Sequence, residues 1–182
     1  MTLAFDPISA HEIKLSSSLT KKSVSDPVRF RTIDVLEPLK DEMIPFLEAQ
    51  LKGLKTPTRP DRRIKVYYYI VKRQSFFKAI VNLDTNTVES TLKIPKGIQL
   101  GIDMDEAVEI EDACNSHPLV LAELERLNLP KNARIYNDPW NYGTDNRDET
   151  MRLFQCYMYI GFSDDPECNH YANPLPISPV FD

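Results

Sequence analysis

The sequence contains few glycines, few cysteines and no long apolar run. Its 5 glycines provide neither a phosphate-cradling loop nor the Gly-x-Ser-x-Gly turn of a serine hydrolase. The 3 cysteines, Cys114, Cys156 and Cys168, are an odd, sparse set, which excludes a disulfide framework and indicates a reducing compartment. No apolar run could span a membrane, and the first residues lack the charged head and apolar stretch of a signal peptide.

The charge balance argues against a general nucleic-acid-binding protein. The chain has 22 Lys and Arg residues against 27 Asp and Glu residues, a net charge of −5. Such proteins need a surplus of cations to displace counterions. One basic stretch, residues 59–65, is interpreted as a solvated loop that leads into a strand. With 42% hydrophobic residues in a chain of 182, we expect a soluble globular protein of one ordinary or two small domains.

Two helices are predicted in the first half of the chain. Ser9 and Glu12 have the spacing of a capping box, so we expect a helix over 9–21. Pro38 suits the first turn of a second helix, whose apolar positions recur at helical spacing until a stop near Gly53. Pro45 lies inside this second helix and predicts a kink or a split, because proline cannot donate the helical hydrogen bond.

β-branched and aromatic residues indicate four strands in the same half. The segment 28–36 alternates apolar and polar residues and is the first strand. The segments 64–72, 76–83 and 88–94 are separated only by short polar turns, which predicts an antiparallel meander. The first half is therefore expected to form one curved sheet with helices on one face.

The second half has a similar mixture of elements. Asp103 and Glu106 form a capping box in front of a helix over 104–115, and a further helix is expected from Pro118. A short strand is predicted at 133–136, followed by an irregular, proline-fixed segment. The fold class is thus α+β, in two small domains that comprise residues 1–97 and 98–182.

Two predictions concern the end of the chain. The segment 151–162 is apolar at almost every position, so it is predicted to be a central strand covered on both faces. The segment 173–182 contains three prolines and little hydrophobic periodicity. We expect it to be extended and not to close the domain.

One pattern could supply zinc ligands. Cys114-x-x-His117 and Cys168-x-His170 would give two thiolates and two imidazoles if the fold brought them together. Structural zinc sites use more tightly paired ligands and a glycine-bearing turn, which are absent here. His117 lies at a helix junction, where capping is the simpler interpretation, so no metal site is predicted.

A second pattern begins like a calcium loop. Asp165, Glu167 and Asn169 alternate as the first three ligands of such a loop do. The sixth position must be glycine and is His170, and the twelfth must be a bidentate acid and is Pro176. The pattern therefore fails at both positions, and an acidic turn is the better interpretation.

Candidate nucleophiles and stacking rings have ordinary structural interpretations. Cys156 lies within an apolar strand, where a thiol behaves as a small buried hydrophobe. The tyrosines at 67–69 alternate across a strand, which favours core and surface packing over a base-stacking platform. Trp140 is the single tryptophan of the chain. The residue pattern favours a plug at a domain seam over the alternative, the lining of a binding site.

Two short motifs of the chain are distinctive, the Asp138-Pro139-Trp140 run and the later Asn-x-Tyr-Ala-x-Pro motif that contains Tyr171. Together with the segments 6–13, 31–40, 77–83, 103–113, 137–140, 152–162 and 164–174, they resemble the second and third N-terminal domains of copper-containing primary amine oxidases of the fungal type. The resemblance covers nearly the whole chain.

The resemblance implies a homodimeric enzyme that oxidises primary amines to aldehydes and releases ammonia and hydrogen peroxide. Copper and topaquinone, the cofactors, belong to a large C-terminal catalytic domain. This chain has no His-x-His pair, and Tyr142 is followed by Gly143, so we expect no catalytic, cofactor-binding or metal-binding residue here. The chain is instead expected to brace the catalytic domain and to help wall the substrate channel, with Trp140 lining that channel.

The implied partners are the catalytic domain, a second subunit and a primary amine, without nucleic acid or membrane. The expected location is intracellular, either cytoplasmic or peroxisomal. The alternative function is a free-standing module of two cystatin-like domains that binds a protein or a small ligand without catalysis.

Overall fold

In the computed structural model, the described residues are 6–55, 58–143, 151–162 and 167–182. The chain divides into two compact units, Met1–Ile98 and Gln99–Asp182. Each unit contains helices and one antiparallel sheet in its described part. The predicted α+β fold class is therefore confirmed, whereas the equivalence of each unit to one family domain stays a prediction.

The first unit contains two helices and a four-stranded sheet. Its elements are α1 (Ala10–Ser23), β1 (Arg29–Leu36), α2 (Lys40–Leu51), β2 (Arg63–Ile70), β3 (Ser75–Asn82) and β4 (Thr87–Lys93). The strands lie in the order β1-β2-β3-β4 and every neighbouring pair is antiparallel. β2, β3 and β4 form the meander that the short polar turns predict, and α1 contacts all four strands.

One face of this sheet forms the core of the first unit. Ile64, Val66, Tyr68 and Ile70 of β2 are buried, whereas the residues between them are only partly buried. The alternation follows from strand geometry, in which successive side chains point to opposite faces. Tyr68 is thus a core residue and its two tyrosine neighbours lie on the other face.

A buried ion pair connects α1 to the segment before β2. The predicted capping box is present, since Ser9 N donates to Glu12 Oε2 at 2.8 Å and Glu12 N donates to Ser9 Oγ at 3.3 Å. Arg62 Nε donates to Glu12 Oε1 at 2.8 Å, and both side chains are almost fully buried. The Arg62 hydrogen bond lowers the pKa of Glu12 to about 2, against the opposing effect of burial.

The second helix of this unit is continuous despite Pro45. It runs unbroken from Lys40 to Leu51, and the chain turns away two residues later at Gly53, whose φ of 63° lies in the left-handed region that favours glycine. The predicted stop is correct and a split at Pro45 is wrong. Pro45 removes one hydrogen-bond donor near the helix start, which a largely exposed helix tolerates because water can satisfy the freed carbonyl.

The second unit contains two helices and a three-stranded sheet. Its elements are α3 (Met104–Ser116), α4 (Pro118–Arg126), β5 (Arg134–Asn141), β6 (Phe154–Gly161) and β7 (Val180–Phe181). The strand order is β5-β6-β7, again antiparallel. Asp103 and Glu106 form the predicted capping box of α3, and His117 caps α4 by accepting a hydrogen bond from Leu119 N at its Nδ1.

Two predictions about the strands of this unit need correction. β5 extends through Asn141, so the segment predicted to be irregular is strand. Pro139 is tolerated there because β5 is an edge strand, in which not every N–H must pair. β6 is central as predicted but is covered on one face only, since Phe154, Cys156 and Met158 are buried while Tyr157 is 41% exposed.

The tail of the chain closes the second unit, contrary to the prediction. Leu175 N donates to Met158 O at 2.8 Å, and β7 pairs with the start of β6. Leu175, Ile177 and Phe181 pack against the buried cluster that includes Cys156. Main-chain hydrogen bonds and three apolar side chains therefore hold the segment 173–182 against the second unit, although its sequence lacks a regular hydrophobic period.

Candidate functional site

The exposed side of the second sheet carries four of the five aromatic residues of β5 and β6. We call it the aromatic face. It consists of Tyr136, Asp138 and Trp140 on β5 and, directly opposite them in the same order, Tyr159, Tyr157 and Gln155 on β6. Directly opposed residues of an antiparallel pair project from the same side of a sheet. The helix α3 packs on the other side, where Ile110 and Cys114 contact the core.

Trp140 lies near the end of β5 and is 58% exposed. Its ring is therefore not part of the core of the second unit. Pro139 and Asn141, its neighbours, point to the helix side, where Asn141 Oδ1 accepts a hydrogen bond from Ile102 N at 2.7 Å. The strand thus holds Trp140 on the open side of the sheet, and the role of this ring in a channel stays a prediction.

A cluster of rings lies at the other end of the aromatic face. His170 stacks on Tyr136 with ring centroids 4.3 Å apart and an interplanar angle of 7°. Tyr171 packs on His170 at 4.3 Å and meets Tyr159 edge-on at 4.9 Å. These contacts fix the short 3-10 turn His170–Ala172 against the sheet.

The Tyr136 ring occupies the space beside Gly161. A Cβ placed on Gly161 would lie 2.8 Å from Tyr136 Cε2, closer than such atoms approach in proteins. Gly161 pairs with Arg134 at the end of β6, two positions along from the Tyr136–Tyr159 pair and therefore on the same face of the sheet. The absence of a side chain at Gly161 therefore allows the stacked position of Tyr136 and, through it, of His170.

Asp138 is the acidic residue among these rings. The Tyr171 hydroxyl donates a hydrogen bond to Asp138 Oδ2 at 3.3 Å. The carboxylate raises the pKa of Tyr171, because ionising the phenol would place a second negative charge beside it. Tyr157 lies directly across the strand pair, where its hydroxyl donates to Gln155 Oε1 at 3.2 Å. The face therefore combines one carboxylate with exposed aromatic rings.

The opposite side of the sheet contains two free thiols that are not suited to chemistry. Cys114 and Cys156 are fully buried and lie next to each other. Burial is the main cause that raises the pKa of Cys156 to about 12 and also raises the pKa of Cys114. A thiol acts as a nucleophile or metal ligand only as the thiolate. These residues are core hydrophobes, as predicted for Cys156.

Arg152 ties the first residues of the second unit to its helix and sheet. Its guanidinium donates to both carboxylate oxygens of Glu106, at 2.8 and 2.7 Å, and to Leu100 O at 3.1 Å. The guanidinium carbon also lies 4.8 Å from the centre of the Phe154 ring. A bidentate, largely buried pair of this kind orders the chain in front of α3.

The described residues do not provide a copper site. No group of three or more His, Cys, Asp and Glu side chains is placed to hold a metal ion in the described part of the chain. His117 caps α4 and His170 stacks on Tyr136, so neither joins the thiols that the sequence pattern suggested. Asp165 of the calcium-like pattern lies outside the described residues.

The sequence did not predict that Asp138, Tyr157 and Tyr171 lie close together on the exposed side of the second sheet. The alternation within β6, apolar inward and aromatic outward, was hidden because tyrosine counts as apolar in a periodicity argument. The pairing register that places Tyr157 opposite Asp138 depends on the contact between β5 and β6. Residues 142–153 separate these two strands along the chain, and a connection of that length does not fix their register as a tight turn would.

The chain is similar to copper amine oxidases over nearly its whole length. It is 28% identical over 163 residues to Copper amine oxidase 1 of Aspergillus niger, covering 85% of this chain and 24% of that protein. It is 27% identical over 181 residues to Primary amine oxidase of Arthrobacter sp. (strain P1), covering 97% and 26%. It is 26% identical over 180 residues to Peroxisomal primary amine oxidase of Pichia angusta, covering 96% and 24%. The chain thus spans about a quarter of the curated relatives it matches.

A solved structure gives the same result. The copper-containing benzylamine oxidase from Hansenula polymorpha superimposes with a TM-score of 0.88 at 41% identity, over 99% of this chain and 28% of that one. No family model matches the sequence. Among the described residues, no helix is long and apolar enough to cross a membrane. The resemblance inferred from the sequence is confirmed by these relatives.

Proposed function

Because this chain is a relative of the copper amine oxidases and matches about a quarter of their length, we propose that it is the non-catalytic N-terminal region of a copper- and topaquinone-dependent primary amine oxidase. The observation that carries the proposal is the joint coverage, 99% of this chain but only 28% of the solved relative. The reaction of the whole protein is the oxidative deamination of a primary amine to an aldehyde, with ammonia and hydrogen peroxide as the other products.

We propose that the two units brace a catalytic domain that supplies the copper and the quinone. Helix α2 supports this role, because one side of it is apolar and exposed at Ile44, Leu47 and Leu51, with exposures of 48%, 40% and 87%. These positions recur at helical spacing, and contiguous exposed apolar surface generally belongs to an interface. These exposed apolar side chains disfavour the alternative of a stand-alone binding module. Such a module should remain monomeric and should not aggregate at high protein concentration.

Trp140 is proposed to line the substrate channel of the parent enzyme. Its support is the position of the ring, which is 58% exposed on the open side of a sheet and not committed to the core of its own unit. The face of the Trp140 ring would pack against the apolar part of an amine, as apolar walls do in most small-molecule sites. The proposed whole protein is a homodimer in the cytoplasm or in a peroxisome, the location named for the Pichia angusta relative.

The test compares two proteins in a peroxidase-coupled assay of amine-dependent hydrogen peroxide. One is the purified 182-residue chain and the other is the longer protein encoded by the same reading frame. The proposal predicts peroxide from the copper-loaded longer protein and none from the chain. Amine-dependent peroxide from the chain alone would overturn the non-catalytic assignment.

Channel lining needs its own variants in the longer protein. Trp140→Ala should lower kcat/KM for benzylamine more than for methylamine, because only the larger amine has an apolar part for the ring to contact. Trp140→Phe should restore most of the benzylamine activity. An equal effect of Trp140→Ala on both amines would contradict a channel role for this ring.

A further inference from the structure

Three exposed aromatic residues are the neighbours of Asp138 on the open side of the second sheet. Tyr157 is its cross-strand partner, Trp140 lies two residues along on the same strand and face, and the Tyr171 hydroxyl donates to Asp138 Oδ2 at 3.3 Å. The exposures are 58% for Trp140, 41% for Tyr157 and 55% for Tyr171. Opposed Cβ atoms in an antiparallel pair are about 5 Å apart and same-strand neighbours on one face about 7 Å. One small cation could therefore touch the carboxylate and at least one ring.

The charge of this unit favours a cationic ligand. Residues 99–182 contain 5 Lys and Arg against 16 Asp and Glu, a net charge of −11, whereas residues 1–98 contain 17 against 11, a net charge of +6. In the described ranges, no Lys or Arg forms an ion pair with Asp138, whose one hydrogen bond comes from a neutral phenol. A summed negative field raises the local concentration of cations.

We propose that Asp138, Trp140, Tyr157 and Tyr171 form a binding site for an organic ammonium ion. The ammonium group lies on the Asp138 carboxylate, and its substituents lie on the faces of the rings. Aromatic faces attract cations through their quadrupole, which is the basis of ammonium recognition by aromatic cages. The ammonium chemistry follows from the carboxylate and the rings, while the identification of the natural ligand as a primary amine rests on the proposed function.

Such a site differs from a hydrophobic patch in its selectivity. A patch binds benzyl alcohol and benzylammonium about equally, since their apolar parts are the same. A carboxylate among rings binds the ammonium and discriminates against the alcohol. The rings of the site are exposed to solvent, so we expect half-saturation in the millimolar range, at about −4 kcal/mol.

The fluorescence of Trp140 provides a direct readout, because it is the single tryptophan in the chain. Excitation at the red edge of the absorption band, where tyrosine does not absorb, isolates its emission. The wild-type chain is titrated with benzylammonium chloride and, at matched ionic strength, with benzyl alcohol. The proposal predicts a saturable change with the ammonium and a linear or absent change with the alcohol. Equal responses to both compounds, or no saturable response to the ammonium, would overturn it.

Two variants with the same charge change locate the site. Asp138→Asn should weaken benzylammonium binding by about three- to tenfold, the range expected for one partly exposed carboxylate together with ring contacts. Asp112→Asn removes an exposed acid from α3, on the helix side of the sheet, and should leave the affinity unchanged. Equal weakening by both variants would show a general field effect and reject the site.

The outcome of the ammonium titration does not depend on whether the proposed function is correct. The titration uses the 182-residue chain and no catalytic domain, so failure to bind ammonium would remove the site without affecting the peroxide assay of the longer protein. Conversely, binding by the chain would stand even if the longer protein produced no peroxide.

Discussion

Arg62 Nε and Glu12 Oε1 are 2.8 Å apart in the nearly dry space between α1 and the entry to β2. The pair is separated by 50 residues in the sequence, and Arg62 also donates to Pro7 O at 3.4 Å. It therefore fastens the start of the chain to the sheet of the first unit. Removing one member of such a buried pair strongly lowers the free energy of unfolding, since the remaining charge is left buried without a partner.

Glu12→Gln should destabilise the first unit by about 3–5 kcal/mol, the typical cost of leaving one member of a buried pair unpaired. Chemical denaturation monitored by circular dichroism measures the free energy of unfolding. The matched control is Glu123→Gln, which removes the exposed partner of Arg126 on α4 and should change stability little. A Glu12→Gln variant as stable as that control would contradict the role of the pair.

The same carboxyl predicts how stability depends on pH. The pKa of Glu12 is about 2 in the folded chain and 4.5 as the ordinary value. A lowered folded-state pKa stabilises the fold fully above 4.5, and that contribution is lost as the pH falls toward 2. The loss amounts to about 3 kcal/mol for the wild type. Denaturation curves between pH 6 and pH 2 should show it in the wild type, and Glu12→Gln should lack it.

Much of the first unit was predictable because local sequence and global fold agree there. The capping box of Ser9 and Glu12, the alternation of β2 and the short turns of the meander all specify the same structure without distant contacts. The continuity of α2 through Pro45 was not predictable, because it depends on how exposed the helix is. The Arg62 partner of Glu12 was likewise hidden, since nothing in the sequence indicates which residue lies 50 positions away in space.

The second unit was predicted less well because its sheet depends on long-range contacts. β5 contains Pro139, which argues against a strand unless the strand lies at an edge, and edge position is a property of the assembled sheet. The tail 173–182 is held by main-chain hydrogen bonds to β6, which side-chain periodicity does not report. For the same reason the aromatic face around Asp138 could not be foreseen, whereas Trp140 could be singled out by type alone.

Gly161→Ala should destabilise the second unit by about 1–3 kcal/mol, the usual cost of overpacking. The added methyl would meet the Tyr136 ring, which would have to leave its stacked position on His170. Thermal unfolding and the ring-proton shifts of His170 report the two effects. Gly101→Ala is the control, because no atom lies within 4 Å of its added Cβ. Equal stability of the two variants would contradict the close approach of the Tyr136 ring to Gly161.

Only Cys168 should react in the native chain when a thiol reagent is added at mildly alkaline pH. Cys114 and Cys156 are fully buried and their pKa values are raised, to about 12 for Cys156, whereas Cys168 is partly exposed. Mass spectrometry after brief alkylation should show one label per native chain and three after denaturation. Rapid labelling of Cys156 in the folded chain would contradict its place in the core.

Arg152→Lys should loosen the segment in front of α3. Lysine keeps the charge but cannot donate to both oxygens of Glu106 and to Leu100 O together, because the guanidinium fork supplies that geometry. Hydrogen exchange at residues 99–103 should accelerate, with a loss of about 1–3 kcal/mol in stability. Arg126→Lys on the exposed surface of α4 serves as the control and should leave exchange at these residues unchanged.

The most direct test of the central claim is the nucleotide sequence of the transcript beyond the codon for Asp182. The account predicts an open frame of several hundred codons that encodes the Asn-Tyr-Asp/Glu motif of the quinone and a His-x-His pair for copper. A stop codon at that position would contradict the assignment of this chain as the N-terminal region of an amine oxidase, and the free-standing binding module would replace it.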